Sequence, residues 1–100
     1  MIVFCVNDGA VMEAWAKDQK IAGTNITFFA DTTCALTKAL DLTMPAPGPM
    51  RDLGNLRSKR FALYVDNGVV KHVAVSESPD DPAGDSDNSA STAKGMLAAI

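Results

Sequence analysis

Two short, wholly apolar runs rich in β-branched and aromatic residues, Ile2–Val6 and Ile26–Ala30, are separated by a stretch with helical periodicity. Runs of that length read as strands, and the first has no polar position to turn toward water, so cover on both faces is expected. Strands that alternate with helices pair in parallel through crossover connections. The chain is therefore expected to be α/β.

The intervening pattern refines the order of elements. Asn7-Asp8-Gly9 breaks the first strand, and either polar residue suits a helix N-cap. Val11, Met12, Trp15 and Ala22 then follow near-helical spacing to about residue 21, with Gly23 placed as a C-terminal glycine. Asp31-Thr32-Thr33 forms a second capping cluster ahead of a short helix whose apolar face is Ala35, Leu36, Ala39 and Leu40. Pro45, Pro47, Gly48 and Pro49 predict a stiff loop, and a basic segment spans 51–60. Phe61–Val65 and Val69–Val75 read as strands joined by Asn67-Gly68, the strongest short-range hairpin signal. Residues 76–90 hold five of the twelve acidic residues among Ser, Pro and Gly, and predict an acidic surface loop. Ser91 or Thr92 then caps a final helix with Met96, Leu97 and Ile100 on its apolar side. One domain over 1–100 is expected, in the order β-α-β-α-β-β-α.

Charge and cysteine usage narrow the functional classes. A net charge of −3 and a pI near 4.8 argue against a nucleic-acid surface. No apolar run approaches the ~20 residues that a membrane-spanning helix needs. The N-terminus lacks the features of a signal peptide, so an intracellular site, cytoplasmic or organellar, is expected. Cys5 and Cys34 are too few for a disulfide framework and lack zinc spacing, so a reducing compartment without a bound metal or cofactor is the expectation.

Four segments in sequence carry a family resemblance. Val6-Asn7-Asp8 with Val11-Met12 and Ala14-Trp15, Phe28-Phe29-Ala30-Asp31 with Thr37-Lys38-Ala39-Leu40, Gly54–Ala62 (GNLRSKRFA), and Asp66-Asn67-Gly68-Val69-Val70 follow in the family's order. Together they resemble the type II (peroxiredoxin-five) peroxiredoxins, and cover nearly the whole chain. The resemblance implies a thioredoxin-like fold lacking the N-terminal strands and the active-site helix. It also implies a thiol peroxidase that reduces hydrogen peroxide and alkyl hydroperoxides, with glutaredoxin or thioredoxin as reductant, and a homodimer among its assemblies. In that family a thiolate in a P-x-x-x-T-x-x-C motif becomes a sulfenic acid that a second thiol resolves. These 100 residues contain no such motif. The chain alone is therefore expected to be inactive, as the C-terminal portion of an enzyme.

Arg60 matches the family arginine that stabilises thiolate and peroxide. The alternative is an ordinary surface arginine preceding a strand. Cys34, after Asp31-Thr32-Thr33, matches a position where some fungal-type relatives carry a resolving thiol; the alternative is a small residue packed at a helix start. Asp31 beside it would oppose ionisation. Cys5 reads as core, His72 as structural, and Trp15 and Met12 as core or a dimer-facing patch. Ala90 stands where human-type relatives have a C-terminal resolving cysteine. Three hypotheses result: the enzyme portion just described, a non-catalytic dimerisation or interaction module near Trp15 and residues 45–60, and a Cys34-dependent redox partner. In the parent fold a central strand would lie between 2–6 and 61–65. Each buried backbone group left unpaired there would cost about 1–3 kcal/mol, set against a domain stability of ~5–15 kcal/mol.

Overall fold

The first strand, β1 (Ile2–Cys5), pairs in parallel with β2 (Thr27–Ala30), and α1 (Gly9–Asp18) makes the crossover between them. A computed structural model describes residues 1–45 and 47–100, and divides into two units, Met1–Ser58 and Lys59–Ile100. The parallel pair and its helix open the first unit. Asp8 caps α1 by accepting from the Val11 amide at 2.8 Å. Met12 is buried, and Trp15 lies against Phe28 with ring centroids 4.7 Å apart. Successive strand residues face opposite sides, so Phe29 points away from that contact and stays 53% exposed. Ile2 is exposed as well, so the expected cover on both faces of the strands is incomplete.

The helix ends earlier than its periodicity suggests. Lys20 takes the left-handed conformation (φ 55°) that closes α1, three residues before Gly23, whose own φ is 80°; Ile21 N–H is bonded to Ala16 O and Lys20 N–H to Lys17 O. The second helix, α2 (Ala35–Ala39), stops the same way: Asp41 has φ 57°, Leu42 N–H bonds to Thr37 O and Asp41 N–H to Lys38 O.

The proline-rich stretch expected as a loop is instead α3 (Pro47–Leu53), set between β3 (Thr43–Met44) and β4 (Arg57–Ser58), which pair antiparallel. The reason lies in the first turn of any helix, whose amides have no intrahelical acceptor. A proline there loses nothing and brings a suitable φ. Pro47 and Pro49 both fall within that turn. Ala46, part of the same expected loop, lies outside the described residues.

The second unit is built on a hairpin. β5 (Arg60–Asp66) pairs with β6 (Val69–Ser76), with a bulge at Tyr64/Val65 and His72 opposite Tyr64. Asn67 and Gly68 take the positive φ values (52° and 78°) of the predicted tight turn. A 3-10 turn at Ser89–Ser91 leads to α4 (Ala93–Ala99), capped by Thr92 Oγ1 accepting from Gly95 N–H at 3.1 Å. The predicted apolar face of this helix is covered only in part: Met96 is half-buried, and no residue of α4 is fully buried. A Cβ on Gly95 would sit 2.1 Å from Ser89 O, so the helix makes its close approach through the glycine. Leu97, two residues and ~200° further round, is turned outward and is 73% exposed. Ile100 is exposed too.

The order β-α-β-α-β-β-α survives with additions: β3, α3 and β4 between α2 and the hairpin, and the 3-10 turn before α4.

Candidate functional site

Register decides what surrounds Arg60. The hairpin sets Arg60 opposite Ser76, the last residue of β6, so the segment leaving β6 starts beside the arginine. Lys59 forms an ion pair with Glu77 at 3.2 Å. Ser78 and Asp81 then close a tight turn through two backbone hydrogen bonds of 3.0 Å. The Asp81 carboxylate accepts from the amides of Asp85 (3.2 Å) and Ser86 (2.8 Å). The Ser86 amide is the chief reason its pKa lies below the ordinary value; desolvation opposes it, and the Asp85 amide, the Ser86 hydroxyl and the Arg60 charge lower it further.

So held, the segment turns back to Arg60. The guanidinium donates from Nη2 to Asp85 Oδ1 at 2.9 Å and from Nε to the Ala83 carbonyl at 3.3 Å. Its side chain remains 46% exposed. A guanidinium is permanently charged and offers its donors in fixed pairs, which suits it to a ligand with two adjacent oxygens.

The thiols belong to the other unit. Cys34 precedes α2 in a left-handed conformation (φ 62°) and is 4% exposed, and its side chain makes no capping hydrogen bond. The cap comes from Asp31 instead. Its carboxylate accepts from Leu36 N–H (3.1 Å), Thr37 N–H (2.9 Å) and Thr37 Oγ1 (2.7 Å). Burial pulls the Asp31 pKa up, but the bonds from Thr37, Leu36 and Ala35 outweigh it and hold the carboxyl below its ordinary value. Cys5 is half-buried, and burial raises its pKa against a smaller opposing pull from Arg57. Arg57 donates through Nη1 to the Val6 carbonyl, just past β1.

Three of these relations escaped sequence reading. Arg57 lies in the GNLRSKRF segment, but nothing in that string says which carbonyl it meets. Asp85 sits among other acids, and its pairing with Arg60 arises only from the hairpin register and the turn at Asp81. Asp31 was legible as a cap, though not as one reaching five and six residues along the chain.

The arrangement invites comparison with known proteins. The redoxin family model matches residues 1–93. The chain belongs to the redoxin family. Within it this redoxin is a peroxiredoxin of the thioredoxin-like superfamily. It is 36% identical over 72 residues to Peroxiredoxin-2E-2, chloroplastic, of Oryza sativa subsp. japonica, covering 72% of this chain and 32% of that protein. It is 35% identical over 84 residues to the hybrid peroxiredoxin hyPrx5 of Haemophilus influenzae, covering 82% of this chain and 32% of the relative. The crystal structure of reduced Prx3 in complex with H2O2 from Vibrio vulnificus superimposes with a TM-score of 0.77 at 37% identity, over 99% of this chain and 56% of that one. The redoxin chain thus spans about half of that solved chain and about a third of the two curated relatives. No described helix is long and apolar enough to cross a membrane.

Proposed function

We propose that this redoxin carries the arginine-bearing part of a thiol-dependent peroxidase acting on hydrogen peroxide and alkyl hydroperoxides. In this reading Arg60 binds the peroxide oxygens and stabilises the attacking thiolate. The thiolate comes from a P-x-x-x-T-x-x-C segment that these residues do not contain. Attack on the near oxygen forms an S–O bond and breaks the O–O bond. The far oxygen leaves with a proton as water or alcohol. A second thiol then displaces water from the sulfenic acid to give a disulfide, which glutaredoxin or thioredoxin reduces. The observation that carries the reading is the accessible, charged guanidinium of Arg60 directly before Phe61-Ala62, where the family motif has its arginine. Cys34 is buried, which favours its packing role over the resolving role.

The purified chain with either reductant should consume no peroxide above background; turnover at a rate typical of the family would overturn the reading. A chimera that places the motif-bearing segment of a peroxiredoxin relative before this chain should be active. Arg60→Gln should then cut kcat/KM by about 10²- to 10³-fold, the scale for losing one charge-stabilising donor.

Exposed Val11 and Trp15, one turn apart on α1, favour a second reading, a non-catalytic interaction module that self-associates through this helix face. Sedimentation as a monomer at all concentrations would remove it.

A further inference from the structure

We propose that Asp85, together with the Ala83 carbonyl, is a positioning residue for Arg60, gripping one edge of the guanidinium so that the other edge faces outward for an oxygen ligand. The inference deepens the peroxidase reading, since it assumes that Arg60 is the oxygen-binding arginine.

The geometry behind it is specific. Nε and Nη2 lie along the same edge of the planar guanidinium. These are the two atoms engaged, Nε by the Ala83 carbonyl at 3.3 Å and Nη2 by Asp85 at 2.9 Å. The Nη1 side has no hydrogen bond among the described residues, and the side chain as a whole is 46% exposed. An exposed ion pair is ordinarily weak, because two long side chains must give up their freedom to form it. Here the acceptor side is already fixed. Asp81 holds the amides of Asp85 and Ser86, and Ser78 and Asp81 close the preceding turn. Gly84, between the two acceptors, lies so close to β6 that a Cβ would fall 2.0 Å from Ser76 O. The segment is thus pressed onto the strand end opposite Arg60, and the ordering cost falls mainly on the arginine. A guanidinium held along one edge has its remaining donors aimed before a ligand arrives, as preorganised charge stabilisation requires.

The test is hydrogen exchange with water at the Arg60 Nε–Hε group, followed by NMR in the whole chain. Asp85→Asn should speed exchange by about two- to fivefold, the factor that an exposed charge pair carries. Asp85→Glu should restore it, and Glu77→Gln, which removes the neighbouring pair with Lys59, should leave it unchanged. Equal exchange in wild type and Asp85→Asn would overturn the proposal. This measurement does not depend on peroxide chemistry. An active chimera indifferent to Arg60→Gln would refute the peroxidase reading and leave the grip intact, whereas unaltered exchange would refute the grip alone.

Discussion

Asp31 shows how one side chain can serve local structure in a way that composition hides. Its carboxylate takes three hydrogen bonds from Leu36 and Thr37, and Thr37 is the most completely buried side chain described. Asp31→Ala would leave the Thr37 hydroxyl and two amides without their acceptor. A loss of at least ~2 kcal/mol is expected, because bonds to a charged acceptor are worth more than neutral ones. Asp31→Asn, which keeps one acceptor oxygen, should lose less. Urea denaturation of the three proteins gives the ranking; an alanine variant as stable as wild type would contradict this account. Cys34, three residues on, illustrates the reverse. Its sequence context left a resolving thiol and a packed small residue both open, and its burial gives it the surroundings of the packed one.

Among the elements, the helix ends are the most informative. α1 and α2 both stop at a residue in the left-handed conformation that is not glycine, Lys20 and Asp41. That conformation costs an L-residue roughly 1–2 kcal/mol, and glycine would avoid it at some cost in unfolded-chain entropy. Lys20→Gly should therefore stabilise the protein by about 0.5–1 kcal/mol, the balance of those two effects. A shift of the urea midpoint in the opposite direction would show that Lys20 is not strained. α3 makes a related point: prolines broke the pattern on paper, yet their clustering in one first turn makes them compatible with a helix. At α4, Met96 of the expected apolar side is half-buried while Leu97 and Ile100 are exposed, and Gly95 makes the close approach to Ser89, so the amphipathic pattern held only in part.

For the whole molecule, the perturbed groups set a pH range. Asp31, Asp81 and Asp87 all have lowered folded-state pKa values; for Asp87 the causes are the Ser89 hydroxyl and amide. A carboxyl with a depressed folded pKa binds fewer protons folded than unfolded. Its contribution is therefore present above the unfolded value of about 4 and lost as pH falls through the lower folded values. Cys5 works in the other direction. Its raised pKa favours the folded state below the ordinary thiol value, and the advantage disappears as pH rises through the folded value. Stability should thus be flat near neutrality and fall at both ends, steeply below about pH 4. Urea midpoints across that range check the sign, and a midpoint that rises on acidification would reverse it.

What the sequence determined by itself was local or periodic. The parallel strand–helix–strand unit, the Asn67-Gly68 hairpin, the capping pairs Asn7-Asp8 and Ser91-Thr92 and the redoxin resemblance all depend on residues close together in the chain. Backbone preferences and nearest neighbours act within a few residues, so their traces are legible there. The tertiary structure alone decided the partners of residues far apart: Arg57 with the Val6 carbonyl, and Arg60 with Asp85 and Ala83. Those pairings depend on strand register and on how closely backbones approach, quantities that no short window of sequence carries.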